Sequence, residues 1–348
     1  MTYIIYTFNH PVKPYQLSYK IDFLDRIPAS LYNQDMKTFP LPLKIIFTIL
    51  LVLVLILTLC WVGLLVYGSI TYSDTFNRRT IITKNPGLQE GLVPQGLTWH
   101  QEEEVFLTAG YMADGSPSRI YLIQPETKET RFYQLTSGGE PFYGHTGGLQ
   151  YADGYLYLAD DGTGLYKFSA QLPAHGETIE IGNPIILPHN TAFIFATDGY
   201  IYSGEFNNDK EYQCHNKFSY NGTNHSAIVA KYHHHNLTVP ELVYSISNET
   251  QGFAILPDGT IVLSQSYGLA PSRFLIYEPE QQIMTGHTMH GAEVCFLGEP
   301  TRIIKAPPMS EDLDVRNGTL VYMTEAACKK YIFGNLYFDW KIYSLQID

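Results

Sequence analysis

Positive charge is scarce in this chain. Only 22 Lys and Arg stand against 34 Asp and Glu, giving a net charge of −12. A nucleic-acid binder needs a basic stripe to follow phosphates, so that class is set aside. Charged residues of both signs make up only 16% of the sequence, and there are only 4 Cys. Established catalytic signatures are missing too: there is no Gly-x-Ser-x-Gly elbow, His-Glu-x-x-His, Walker loop or Cys-x-x-Cys. What is abundant is Tyr, with 27 residues, together with 28 Gly and 20 Pro. Aromatic-rich, charge-poor sequence punctuated by turn residues suits packed β-sheets.

One segment stands apart. From Ile45 to Ile70 no residue is charged. At 1.5 Å per residue, about twenty such residues cross a hydrocarbon core of ~30 Å. Core helices of soluble domains rarely stay apolar on every face for so long. A cleaved signal peptide fits poorly, because the run is long, no A-x-A-like site follows and 44 residues precede it. The expected organisation is therefore a mostly unstructured cytosolic tail over 1–42, a transmembrane signal-anchor helix over 43–70 and an ectodomain over 71–348. The tail reading rests on its lack of a long apolar period and on Pro11, Pro14, Pro28, Pro40 and Pro42.

Orientation follows from two observations. Lys13, Lys20, Arg26, Lys37 and Lys44 precede the segment and Arg78, Arg79 and Lys84 follow it, a mild bias toward a cytosolic N-terminus. All the N-glycosylation sequons lie beyond it, at Asn221, Asn224, Asn236, Asn248 and Asn317. A type II single-pass protein of the plasma membrane or a secretory endomembrane is expected. Cys60 falls inside the membrane segment, so Cys214, Cys295 and Cys328 are left in an oxidising space and allow one intramolecular disulfide at most.

The ectodomain repeats itself. Gln95-Gly-Leu-Thr-Trp, followed by Ser116-Pro-Ser-Arg-Ile-Tyr-Leu-Ile, aligns with Gln251-Gly-Phe-Ala-Ile, followed by Ala270-Pro-Ser-Arg-Phe-Leu-Ile-Tyr. Asp153-Gly154, Asp198-Gly199, Asp258-Gly259 and Asn317-Gly318 each separate two alternating apolar runs, a strong hairpin signal. Two further strands extend each hairpin: 119–124 and 130–135, 164–168 and 184–187, 227–232 and 242–246, 273–278 and 301–305. The last hairpin gains only 341–347, and Arg79–Lys84 supplies its outer strand. The predicted fold is an all-β propeller of five blades closed by an N-terminal strand. Six blades follow if the polar stretch Asn207–Asn236 holds a sheet of its own; it reads as an elaborated loop. Ring closure leaves only short, protected edges.

In such blades the start of the innermost strand and the end of the second converge on the channel mouth. Here those positions are Gln95, His145, Asn190, Gln251 and Glu311, with Tyr111, Asp160-Asp161, Glu205, Gln265 and Glu325. The set is rich in oxygen and poor in cations, as a calcium ion requires. Glu311 and Glu205 are the first metal-ligand candidates. Gln95, Gln251, Asp160, Gln265 and Glu325 are ligand-binding candidates, and Tyr111 and Tyr267 are lip aromatics. His145, flanked by glycines, is the general-base candidate. Raised carboxyl pKa values are expected if like charges share the funnel with no ion. The plain alternative is a water-filled polar channel whose glycines only relieve crowding at the axis. His233-His234-His235 reads as a solvated loop rather than a metal site.

The duplicated Gln-Gly strands, the Asx-Gly turns and the closing strand resemble β-propeller proteins broadly. The tethered layout is similar to animal strictosidine-synthase-like proteins, relatives of the paraoxonases and gluconolactonases. That resemblance implies a calcium ion in the central channel and hydrolysis of a small ester or lactone. Gln95 and Gln251 stand where that group often has a metal-binding Glu or Asn, and five blades depart from its six. Three functional readings result, in this order: a module binding a small ligand, glycan or protein at the channel mouth; a calcium-dependent hydrolase there; and a structural or adhesive ectodomain.

Overall fold

The computed structural model describes residues 40–348 apart from 198, 332, 333, 338 and 348. The tail expected over 1–42 lies, up to residue 39, outside the described residues. The chain divides into two compact units after Val62. The described part of the first is almost wholly helix. Helix α1 (Leu41–Thr71) is 31 residues of mainly Leu, Ile and Val, and it is long and apolar enough to cross a membrane. Its last residues belong to the second unit, where a short helix α2 (Ser73–Arg78) follows, with Asp74 accepting from Arg78 across one turn at 2.5 Å.

The second unit is a five-bladed β-propeller. Blade I comprises Leu92–His100, Val105–Met112, Arg119–Ile123 and Thr130–Ser137. Blade II holds Gly148–Ala152, Tyr155–Asp160 and Gly164–Ser169. Blade III runs Phe193–Thr197, Tyr200–Gly204, Ala227–His233 and Leu242–Ile246, and blade IV Thr250–Ile255, Ile261–Gln265, Ser272–Tyr277 and Arg302–Ala306. Blade V is Ser310–Arg316, Thr319–Thr324 and Lys341–Leu345, completed by Arg79–Lys84, with Arg79 opposite Leu345 and Lys84 opposite Lys341. The closing strand is pinned by an ion pair: Arg79 reaches Asp339 at 2.8 Å, and Asp339 is buried.

Three details differ from the expected strands. The outer strand of blade II is reduced to one bridge, Leu165 with Ile185. A hairpin, Gln282–Met289 with Ala292–Leu297, adds to the outer edge of blade III, its second strand parallel to Leu242–Ile246. Before the strand Ala227–His233, the polar stretch forms only a small hairpin, Phe218–Tyr220 with Thr223–His225, so no sixth blade arises there. The disulfide expectation also needs correction. Cys214, Cys295 and Cys328 are buried and free, and Cys60 is exposed and free. Cys214 bonds the Phe206 carbonyl, Cys295 lies in the added strand of blade III, and Cys328 packs on Leu88 and Val93. The three thiols therefore occupy separate parts of the fold.

The five inner strands form a ring, each packing on its two neighbours. Apolar clusters fill the spaces between blades. Leu107, Leu149 and Leu158 lie between I and II, and Leu97, Phe106, Val321 and Ile342 between V and I. Aromatic rings dominate between III and IV, where Phe253 stacks on Tyr202 with centroids 5.4 Å apart. The inner strands come so close that Gly96 has no alternative, since a Cβ there would sit 2.6 Å from the Leu149 nitrogen.

Polar side chains join the inner strands at the axis. The buried Asp312 of blade V accepts the N–H of Leu97 in blade I and of Leu149 in blade II, both at 3.1 Å. Gln150 donates to the Leu97 and Leu313 carbonyls, each at 3.1 Å. Asp314 takes the Trp99 N–H at 2.6 Å. Burial pushes the Asp312 carboxyl well above its ordinary range, while the N–H donors pull it back. Asp312→Ala would leave these donors unpaired. The full-length protein in detergent should lose about 3 kcal/mol of stability, seen as a lower denaturant midpoint, whereas an unchanged midpoint would show that the inner strands do not depend on this carboxylate.

Candidate functional site

The strand register explains how the mouth is built. Pro94 pairs with Gly110 and Gly96 with Ala109, so Gln95 is an extra residue in a β-bulge. The same irregularity leaves Gln251 between Thr250 and Gly252, and Glu311 and Asp312 between Ser310 and Leu313. Blades II and III pair without a shift at these positions. A bulge turns its extra residue out of the alternating pattern of the strand. In blades I, IV and V the bulged Gln95, Gln251 and Glu311 line one cavity of about 590 Å³.

Glu325, His145 and Asp161 also line this cavity, so six of the mouth residues expected from sequence meet there. Asn190, Tyr111, Asp160, Glu205 and Gln265 do not line it. Asp160 accepts the backbone N–H of His145 at 2.6 Å and of Thr146 at 3.3 Å, bracing a turn in which Thr146 has φ +58°. Glu205 is buried behind the wall, taking a bond from Asn216 at 2.7 Å and from the Ile228 N–H at 3.2 Å. Gln265 donates to the Asn248 carbonyl at 2.8 Å. Asp161, next to Asp160, faces the cavity instead.

The floor is acidic. Gln95 donates to Glu325 at 2.7 Å, and the Glu325 and Glu311 carboxyls hydrogen-bond each other. Burial, and then the charge of Glu325, push Glu311 well above its ordinary value; burial likewise pushes Glu325 up to about 7. Burial raises Glu205 to about 7 as well, and Asp161 in the same direction, with Asp160 a secondary cause. Carboxyl pKa values are thus raised as anticipated, but loss of water is the main cause and like charge the lesser one. His145 is open to the recess yet ringed by protein, and desolvation lowers its imidazole against the pull of Asp160.

Aromatic side chains line the cavity or, as Tyr111 does, back a residue that lines it. Tyr111 stacks on His145 with centroids 5.0 Å apart, and Lys330 donates to the Tyr111 hydroxyl at 2.6 Å. Across the cavity, Phe206, Tyr212 and Tyr267 make a second wall, and the Tyr267 hydroxyl donates to Glu211 at 3.2 Å. Sequence reasoning missed Phe206, Glu211, Tyr212, Lys330 and Tyr331. They lie on loops that follow second strands, and aromatic clustering after Glu205 and Glu325 was the available signal.

The resemblance to calcium-dependent propellers can be tested on these donors. Glu205 and Glu311 are not brought together, and Glu205 already accepts from Asn216 and Ile228. Among the described residues, no group of three or more His, Cys, Asp or Glu side chains is placed to hold a metal ion. Glu311 and Glu325 are the two carboxyls that line the cavity side by side, and each is raised chiefly by burial. At the His233–His235 run, His234 pairs with Asp153 at 2.5 Å.

No protein-family model matches the chain, and no curated protein does. Similar solved structures are propeller-like and distant. An aldose sugar dehydrogenase from Streptomyces coelicolor in its PQQ-bound form has 13% identity and a TM-score of 0.40, covering 71% of this chain and 78% of its own. A Xanthomonas citri GH43_1 enzyme complexed with xylose has 10% identity and a TM-score of 0.42, covering 76% and 90%. Myxococcus xanthus glutaminyl cyclase has 14% and 0.39, covering 77% and 95%. These likenesses concern the fold alone.

The raised carboxyls have a consequence for stability. Between about pH 4.5, the ordinary Glu value, and about pH 7, the folded chain holds protons that the unfolded chain has released. Stability therefore falls as pH rises through that window. The melting temperature should decline from pH 4.5 to 7, and Glu325→Gln should flatten that decline. An unaltered profile in the variant would place the titration elsewhere.

Proposed function

We propose that this protein is a membrane-anchored β-propeller that binds a small, hydroxyl-rich polar ligand, such as a glycan, at its channel mouth. The observation that carries the reading is the convergence of three bulged residues, Gln95, Gln251 and Glu311, on one cavity with Glu325. The two amides and the proton-sharing carboxyl pair offer donors and acceptors together, which is what hydroxyl groups need. Phe206, Tyr212 and Tyr267 supply apolar faces beside them. The acidic floor disfavours phosphates and other anions.

The test is a glycan array probed with the full-length protein in detergent. Specific binding is expected, and Gln251→Ala, which removes one amide partner, should weaken it about tenfold, roughly the 1–1.5 kcal/mol of a hydrogen bond. Absence of any glycan binding, or binding indifferent to this change, would refute the reading. One observation favours hydrolysis as the second reading. A carboxyl at about 7 beside a protonated partner is suited to general acid–base work without a metal. Turnover of a bound glycan, abolished by Glu325→Gln, would replace the first reading with the second.

The sequons support a lumenal or extracellular propeller. Asn221, Asn224, Asn236 and Asn317 are exposed, three of them at or beside tight turns. Asn248 differs: its amide accepts from Asn207 at 3.0 Å and donates to Asp209. Glycopeptide mapping of protein from a secretory-pathway host should find glycan at the exposed positions and little at Asn248. Complete absence of glycan would reverse the orientation.

A further inference from the structure

A second cavity, of about 240 Å³, lies within the propeller unit and has a different character. It is lined by Leu64, Tyr67 and Tyr72 from the end of α1 and its exit, and by Leu269, Pro308 and Tyr337 from the blades. Its lining side chains are apolar or aromatic. The helix end is seated firmly: Gly68 is so close to Tyr337 that a Cβ would fall 2.2 Å from the ring, and the Tyr72 and Tyr337 rings meet edge to face at 5.1 Å. The apolar stretch Ile45–Ile70 measures about 39 Å at 1.5 Å per residue, some 9 Å more than a hydrocarbon core of about 30 Å. The helix is thus long enough for its last turns to reach the level where hydrocarbon gives way to headgroups.

The two cavities are lined from the same segments of chain. In the loop after Ile261–Gln265, Ser266, Tyr267 and Gly268 face the deep cavity, while Leu269 and Pro271 face the apolar cleft. Met309 lines the first and Pro308 the second; Tyr331 lines the first and Tyr337 the second. Tyr267, which lines the first, and Leu269, which lines the second, are both exposed, at 37% and 56%.

From this adjacency we infer that the ligand is a membrane amphiphile, its neutral hydroxyl-bearing head in the deep cavity and its alkyl chain in the cleft beside α1. The inference rests on the binding reading above and narrows it to lipid-borne ligands. The wall of the cleft is the end of a helix suited to hydrocarbon, so the medium at that helix supplies the chain. Moving an alkyl chain from lipid to an apolar cleft gains little. The head group therefore sets affinity, and the chain sets where the ligand is found.

The probe is a glucosyl lipid carrying a diazirine midway along its alkyl chain, photolysed with the full-length protein in phosphatidylcholine nanodiscs. Crosslinks are expected on the peptides holding Leu269–Pro271 and Gly334–Tyr337. Tyr267→Ala and Glu311→Gln, which alter only the polar cavity, should each lower labelling of the cleft at least fivefold, and Leu269→Asp should abolish it. Two cavity variants guard against one failing to fold, and Tyr267 is exposed. A phosphatidylcholine probe with the same diazirine chain should label the cleft weakly. If it labels as strongly as the glucosyl probe, or if the cavity variants label normally, the cleft merely touches bulk lipid and the inference fails. If soluble methyl glucoside binds through Gln251 and Glu311 while no probe labels the cleft, the inference fails and the binding reading stands. If neither probe nor soluble glucoside binds, both fail.

Discussion

The buried Asp312 carboxylate is the interaction on which the rest of the propeller depends. It stands on the inner strand of blade V and accepts N–H groups from blades I and II, so one side chain joins three sheets far apart in sequence. Inner strands meet at their edges of side-chain contact rather than through a shared ladder, and their N–H groups near the axis need partners away from water. Asp312, Asp314 and Gln150 provide them. The cost is a carboxylate held in a dry place, which burial alone would protonate. Gly96 completes the arrangement by letting the strands approach closely enough for those bonds to form.

The site arises from the same crowding. Where the inner strands of blades I, IV and V begin, each carries an extra residue, and the bulge rotates Gln95, Gln251 and Glu311 toward the axis. Blades II and III lack that irregularity, and two of their acids, Asp160 and Glu205, serve the frame. Asp160 holds the His145 turn, and Glu205 ties Asn216 to Ile228. Burial raises the pKa of both Glu311 and Glu325, which favours a shared proton and lessens the negative charge the pair presents to the cavity.

Much of the fold was legible in the sequence because its signals are local. Asx-Gly turns require positive φ, as Asp153 (+50°) and Asn317 (+51°) show, and the apolar runs beside them alternate with the pleat. The closing strand Arg79–Lys84 was legible by count, since blade V had only three strands of its own. The parallel strand Ala292–Leu297 was not, because adding it to blade III depends on an edge created only when the ring forms. The disulfide expectation failed for a related reason. Three cysteines beyond an apolar helix imply a compartment, whereas pairing needs proximity, and each thiol is buried in a different part of the fold.

By itself, the sequence determined the apolar helix, the strand pattern, the five units and the oxygen-rich character of the mouth, because each depends on neighbours within a few residues along the chain. Tertiary structure decided which of the mouth residues share a cavity. Facing the axis depends on the bulges in strand pairing, and the protonation of Glu311 and Glu325 depends on burial by loops from other blades. Neither strand register nor desolvation is written in any single segment; both are properties of the closed ring.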